Sequence, residues 1–329
     1  MSSGRPSLHS SFQAFFRRHD VQIGVIIVIM GILFSVLSPG FLTLGNMMDL
    51  LESYSVSAIM AAGLLVVLIS GGIDISFAAI AGVTQFLVAT IVVNFGGNWF
   101  IAFALAGLFG ALLGVVNALL IHYLRAISVI VTISTMTFLF SMLMFVTQGR
   151  SIYNLPDWFT SNVSLLSIPF PVTVAAIALL VTLFLLSRLT IGRLIYGLGG
   201  NPEAAKRMGC SVAGLRCFVY GYSGFMGAVA GIVQAHRVEE VVPNALMGRE
   251  LDVLAAVVLG GASLSGGVGT VSGTILGIVL LAMLQNGLTL IGVSSYSFGL
   301  VTGLVILASV SATAYAARRQ QKGSLRHAI

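Results

Sequence analysis

The sequence predicts an all-α membrane protein of about ten transmembrane helices, built from two related halves, with both termini cytoplasmic. Three observations carry that expectation. Hydrophobic residues make up 57% of the chain and charged residues only 8%, with a mean hydropathy of +1.05, whereas a soluble domain carries about 25% charged residues. Apolar runs recur at the roughly 20-residue length that a bilayer crossing needs. The cations cluster at the ends of those runs and on one side of the expected membrane.

The expected spans lie near 21–39, 50–70, 75–95, 98–121, 128–147, 170–188, 214–235, 249–261, 270–290 and 297–316. They form one transmembrane domain, 21–316, between a cytoplasmic tail at 1–20 and another at 317–329. Arg17 and Arg18 precede the first apolar run, which has no small-residue cleavage site after a short apolar core. It reads as an uncleaved span rather than a signal peptide. With the N-terminus inside, cytoplasmic segments hold Arg5, Arg17, Arg18, Arg125, Arg188, Arg193, Lys206, Arg207, Arg216, Arg318, Arg319, Lys322 and Arg326, 13 of the 16 Lys and Arg residues. Only Arg150, Arg237 and Arg249 fall outside, and shifting the register by one span would scatter the cations over both faces. The longest outer loop, Gln148 to Pro171, carries Trp158 and Phe159, which suit a membrane interface.

The same charge distribution bears on partners. A net charge of +6 without aromatic interleaving along a groove is a topology signal, so membrane lipid is expected as a partner and nucleic acid is not. Cys210 and Cys217 flank the basic loop at a spacing that suits neither a structural disulfide nor a metal site.

Two places break the hydropathy pattern. Ser70-Gly71-Gly72-Ile73-Asp74-Ile75-Ser76 separates the second and third spans, too tight and glycine-rich for an ordinary loop. Gly260-Gly261-Ala262-Ser263-Leu264-Ser265 follows an apolar run of only about ten residues, short of the ~20 a crossing takes. Aligned on the paired glycines, both read Gly-Gly-x-(Asp or Ser)-(Ile or Leu)-Ser, which suggests related halves near 45–150 and 214–316. Matched, glycine-interrupted segments point to a transport pathway, and tight packing of helices through small residues is the alternative use of the same glycines. On the pathway reading, Gly71, Gly72, Asp74, Ser76, Gly260, Gly261, Ser263 and Ser265 border the solute route, where freed carbonyls and small hydroxyls are satisfied only beside water or protein. Asp74 is either a functional intramembrane carboxylate or a cap on the third span. Asn117, Gln285 and Asn286 sit inside spans and either bond a hydroxylated solute or tie helices together. His122, beside Tyr123 and Arg125, reads as interfacial.

The loop 189–213 is the most basic part of the interior, with Arg188, Arg193, Lys206, Arg207 and Arg216 in or beside it. Asn201-Pro202-Glu203 reads as a helix start: an N-cap side chain, a proline at the first helical position and an acid in the first turn. Glu203, Lys206 and Arg207 fall on one side of that helix. A short helix on the inner membrane face is what a separate motor would need to push on a channel.

No catalytic constellation is present in the sequence. There is no His/Cys/Asp cluster at metal spacing, no G-x-S-x-G elbow, and Gly266-Gly267-Val268-Gly269 runs into Thr270 where a nucleotide-binding loop needs Lys. The chain is not expected to be an enzyme or to hold a cofactor. An ion-coupled carrier would need coupling sites at mid-membrane, for which Asp74 alone is thin support.

Leu68-Ile69-Ser70-Gly71-Gly72-Ile73-Asp74-Ile75-Ser76, Ile191-Gly192-Arg193 with Gly199-Gly200-Asn201-Pro202-Glu203-Ala204-Ala205, and the run Glu250 to Gly267 closely resemble the permeases of bacterial sugar ABC importers, of the ribose, galactose, xylose and autoinducer-2 type. The likeness extends to Asn286-Gly287-Leu288 and Gly292-Val293-Ser294-Ser295-Tyr296 and covers about residues 20–316. Where relatives usually continue with Val-Gly-Ser, this chain has Phe77-Ala78-Ala79, a stiffer backbone. The resemblance implies a multi-pass protein of the bacterial inner membrane that translocates a sugar or sugar-like solute. It also implies a second permease copy or paralogue, a tandem-domain ATPase below and a periplasmic sugar-binding protein above. The ATPase is then expected to dock on Asn201, Glu203, Ala204, Ala205, Lys206 and Arg207, and the binding protein on Arg237, Glu239, Glu240 and Arg249 of the outer loop. Asn286 joins the two glycine segments as a pathway residue.

Overall fold

The computed structural model describes residues 19–161, 164–165, 168–207, 209–301, 303–304 and 307. Most of the two expected tails therefore lies outside the described residues. Within them the chain is mainly helical: α1 (His19–Leu37), α2 (Leu44–Ile69), α3 (Phe77–Phe95), α4 (Trp99–Leu124), α5 (Ser128–Thr147), α6 (Asp157–Thr160), α7 (Phe170–Arg188), α8 (Thr190–Gly200), α9 (Pro202–Arg207), α10 (Val212–Val238), α11 (Arg249–Leu259) and α12 (Val271–Leu290). A two-stranded antiparallel ribbon pairs β1 (Ser164–Leu165) with β2 (Ile168–Pro169). Eight helices among the described residues, α1–α5, α7, α10 and α12, are long and apolar enough to cross a membrane.

Two expected spans differ. The eighth, placed at 249–261, is an 11-residue helix, about 16 Å long at 1.5 Å per residue and half of what a crossing needs. It stops at Gly260, and the chain returns through α12 antiparallel to it: Ala256 packs on Gly277, and Gly260 on Gly273. The tenth, at 297–316, falls only partly on described residues; helical residues begin at Phe298.

Burial divides the helices into a centre and a rim. Within the best apolar windows, 78% of α2 and of α10 is buried, against 11% of α1 and 17% of α5. α4 and α10 approach most closely through small residues: a Cβ on Gly110 would meet the carbonyl of Gly224, and one on Gly114 the carbonyl of Tyr220. In lipid, where apolar burial gives no preference for helix over lipid tail, such close backbone contact is what holds helices together.

One end of the bundle carries the basic segment 188–216, with the start of α10 and the end of α4. The opposite end carries the loops 148–170 and 238–249, joined by a bridge between Ile152 and Val241. An aromatic cluster closes that end: Trp99 lies 4.5 Å from Phe170 and 5.0 Å from Phe159, centroid to centroid. His236 bonds the carbonyl of Phe159 through Nδ1. Trp158 stays half-buried, whereas Phe159 is 2% exposed and belongs to the packing rather than to an interface.

Candidate functional site

The two breaks are closed by the same cap. After α2, Gly71 N–H donates to Leu68 and Gly72 N–H to Val67; after α11, Gly261 donates to Val258 and Ala262 to Val257. Each is a Schellman motif with a left-handed glycine, Gly71 at φ +83° and Gly261 at φ +90°. The correspondence therefore pairs Gly71 with Gly261, one residue out of register with the alignment on the first glycine of each pair. α12 ends in the same way at Gly292, so the cap alone does not establish a repeat of the two halves.

The breaks meet in space, with the basic segment wedged between them. Gly267 N–H donates to the Ile69 carbonyl at 2.8 Å. Gly199, at the end of α8, lies so close that a Cβ there would strike the Ile69 carbonyl oxygen and approach Gly267 N to 2.5 Å, and Gly71 faces Gly199 and Ser265. Tyr196 Oη donates to the Gly269 carbonyl at 2.7 Å. Three backbones thus touch where any side chain larger than hydrogen would hold them apart. Gly260 and Gly261 lie one turn away, Gly260 buried against Gly273. Ser263 folds the loop on itself, its carbonyl accepting from Gly266 and its Oγ from Ser265 N–H; Ser265 is exposed.

Asp74 lies inside the bundle, three residues before α3. It is fully buried and accepts three bonds: Ser76 N–H at 2.9 Å and Ser76 Oγ at 2.6 Å on Oδ1, and Ser223 Oγ at 2.8 Å on Oδ2. Ser76 Oγ in turn accepts from Asn117 Nδ2 at 2.7 Å. The carboxylate pins the break after α2 to α10 and α4, satisfying its lone pairs as a buried polar group must. Gly72, also buried, packs under the Tyr220 hydroxyl.

Toward the opposite end lies a cavity of about 330 Å³ between α2, α10, α11 and α12. Ser53, Tyr54, Ser57, Arg237, Arg249, Asp252 and Gln285 give its polar lining; Val253, Ala256, Ile278 and Leu281 give its apolar lining. Tyr54 Oη donates to Gln285 Oε1 at 2.6 Å, Gln285 Nε2 reaches Asp252 Oδ2 at 3.5 Å, and Arg237 Nη1 donates to Ser53 Oγ at 2.9 Å. α11 connects the two features directly: Asp252 and Ala256 line the cavity, and the break at Gly260 follows one turn later.

This placement changes several expectations. Arg237 and Arg249 line the cavity and are half-buried, because α10 and α11 aim them between the helices; of the four expected docking residues only Glu239 is exposed, with Glu240 half-buried. Asn286 does not line the cavity: it exchanges two amide bonds with Asn46, each 2.9 Å, joining α12 to α2. At the basic end, Asn201, Glu203, Lys206 and Arg207 are exposed and Ala204 half-buried, while Ala205 is 1% exposed and anchors α9 to the body. Asn201 Oδ1 caps α9 by accepting from Ala204 N–H at 3.0 Å. Beside them a groove of about 660 Å³ runs between α4 and α9, lined by His122, Arg125, Glu203, Lys206 and Arg216. Tyr54 and Ser57 are site residues with no part in the sequence expectations; their signal is the polar stretch Glu52-Ser53-Tyr54-Ser55-Val56-Ser57 within an apolar span, whereas Asp252 is expected only as an outer-loop charge or a cap of the eighth span.

The chain matches, over residues 46–310, the family described as branched-chain amino acid transport system / permease component. It is 37% identical over 285 residues to the ribose import permease protein RbsC of Escherichia coli (strain K12), covering 84% of this chain and 88% of that protein. The RbsC of Bacillus subtilis (strain 168) is 36% identical over 292 residues, 88% of this chain and 90% of its own length. The L-arabinose transport system permease protein AraH of Escherichia coli (strain K12) is 32% identical over 323 residues, 94% of each. No solved structure matches the chain.

Proposed function

This chain belongs to the family of branched-chain amino acid transport system permease components, and on that premise we propose that it is the membrane-spanning permease of an ATP-driven importer for a sugar or sugar-like solute. The solute arrives from a periplasmic binding protein, and a separate ATPase at the basic end supplies the energy. The permease works in the bacterial inner membrane with a second permease copy, and both termini and the segment 189–213 face the cytoplasm, as the cation distribution favours. Counting α11–α12 as a re-entrant pair and the segment from Phe298 as a last crossing keeps the N- and C-termini on one face.

The observation that carries the reading is the contact of Gly199 with Ile69 and Gly267. It gives a displacement of α8–α9 a direct backbone route to both helix breaks, below the polar cavity. Exposed Glu203, Lys206 and Arg207 are the surface that the ATPase engages, and Glu239 and Glu240 remain the charges available to the binding protein. Solute passes from the cavity toward Ser263 and Ser265 when the breaks separate; weak, multiple hydrogen bonds let it leave again.

The family description names branched-chain amino acids, whereas the curated relatives above are named for ribose and L-arabinose. The relatives' coverage of nearly the full chain supports a sugar. Deleting the gene and following uptake of labelled ribose, arabinose and leucine in cells separates the two. Loss of sugar uptake, restored by the gene and unaffected by a proton uncoupler while ATP is maintained, is expected. Loss of leucine uptake alone would overturn the solute class, and uncoupler-sensitive sugar uptake would overturn the ATP-driven mechanism.

A further inference from the structure

We infer that the groove of about 660 Å³ at the basic end holds the phosphate of an anionic phospholipid, bridging Arg125 at the end of α4, Lys206 on α9 and Arg216 on α10. The inference rests on the basic end lying at the inner membrane face, and it goes beyond the permease reading, which gives that end only to the ATPase.

Three cations reach this groove from three separate elements, and Glu203 is the one acid among its lining residues. None of the three forms an ion pair among the described residues. Arg216 is half-buried. A cation that only marks the cytoplasmic side of a span gains nothing from burial, whereas a partly buried guanidinium without a counter-charge carries a desolvation cost that an anion offsets. The planar fork of Arg matches the oxygens of a phosphate two at a time. α10 also begins in the groove, at Ser211, Val212 and Ala213, and the first turn of this 27-residue helix adds partial positive charge. Ser211 Oγ accepts from Gly214 N–H and can still donate its own proton to a phosphate oxygen.

The surroundings identify the source of the phosphate. α4 ends and α10 starts here, and both are long and apolar enough to cross a membrane, so the groove sits at the depth of the lipid headgroups. Tyr123, Leu124 and Ile127, chain neighbours of the lining residues His122, Arg125 and Ala126, are 76%, 67% and 66% exposed. An aromatic ring at that depth and two aliphatic side chains suit the interface and the acyl chains of a lipid. Basic pockets between spans on the cytoplasmic side take anionic headgroups for these reasons. A soluble phosphate, or an acidic stretch of the ATPase, would use the cations and leave the apolar neighbours without a role.

Cys210 lines the groove and is half-buried, so it serves as the reporter. The test places the full chain with Cys217→Ser in lipid nanodiscs, where both faces are open to an uncharged thiol reagent. Replacing part of the phosphatidylcholine by phosphatidylglycerol is expected to slow Cys210 labelling about threefold, the factor for a site about two-thirds occupied. Thr190→Cys on a Cys210→Ser/Cys217→Ser background, exposed on the same cytoplasmic segment, reports surface potential alone and is expected to slow much less. Arg125→Glu changes an exposed side chain and is expected to restore the Cys210 rate in anionic discs; Arg216→Gln is expected to do the same, and the exposed Arg125 position decides the matter if the half-buried one impairs folding. Equal slowing at both cysteines, or slowing that Arg125→Glu leaves intact, overturns the site. Protection by glycerol phosphate in phosphatidylcholine discs overturns the lipid source in favour of a soluble phosphate, and protection that appears only with the ATPase overturns it in favour of a protein contact. Neither solute nor ATP enters the assay, so each of these results leaves the sugar-permease reading to its own test.

Discussion

The backbone N–H of Gly267 donates to the carbonyl of Ile69 across 2.8 Å, tying the loop after α11 to the last residue of α2 although 198 residues of sequence separate 69 from 267. α8 lies against this same bond through Gly199. The contact joins the basic end to both helix breaks.

Gly199→Ala places a methyl against the Ile69 carbonyl and pushes the three backbones apart. A cost of about 1–3 kcal/mol is expected, as for other overpacked contacts. Receptor-stimulated uptake should fall at least tenfold while ATP hydrolysis continues. Gly197→Ala, which meets nothing within 4 Å, is the control and should leave both unchanged. Thermal unfolding in detergent and the ratio of uptake to ATP hydrolysis check this pair.

Asp74→Ala removes the acceptor for Ser76 and Ser223 inside the bundle. Each orphaned buried group costs about 1–3 kcal/mol, so poor accumulation of this variant is expected. Ser223→Ala removes one donor and keeps the pair Asp74–Ser76, so it should lose much less. Asp74→Asn keeps an acceptor on Ser76 and turns its amide toward Ser223, whose hydroxyl can accept. The order of midpoints in a thermal melt, wild type above S223A and D74N, with D74A lowest, is the expected outcome.

Hydropathy and charge report span length and side of the membrane, and not tertiary partners. Hydropathy found the eight long spans because a bilayer sets their length, and it flagged Gly71-Gly72 and Gly260-Gly261 as breaks. It could not give the register of the two caps, since either glycine of each pair can adopt φ > 0. It placed Arg237 and Arg249 in an outer loop from their position in the chain, but the end of α10 and the start of α11 point both between helices. Ala205 sits in a short, solvent-facing helix, yet a six-residue helix still has one buried side. Asp74 could be read as a cap or a functional carboxylate because its partners Ser223 and, through Ser76, Asn117 are remote in sequence.

On α9, reversing charge at Glu203 and Lys206 alters exposed groups only. Glu203→Lys with Lys206→Glu should lower receptor-stimulated ATPase activity severalfold without moving the thermal midpoint, because surface charges contribute little to stability and much to encounter. Ala205→Trp should instead lower the midpoint, since Ala205 is packed. A double charge reversal with full stimulation would show that the ATPase docks elsewhere.

Topology is testable with single cysteines on the Cys210→Ser/Cys217→Ser background. A membrane-impermeant thiol reagent should label Glu239→Cys in intact cells, and Lys206→Cys only after the membrane is opened. The opposite pattern would invert the cation-based orientation.

Uptake in proteoliposomes that hold this permease with its ATPase, the binding protein being supplied on the other face, separates ATP-driven sugar import from every other reading. Labelled ribose or arabinose should accumulate only when ATP is present on the face that carries α9, and accumulation should slow severalfold when Glu203 and Lys206 are reversed. Accumulation driven by an ion gradient without ATP, or of leucine in place of sugar, would contradict it.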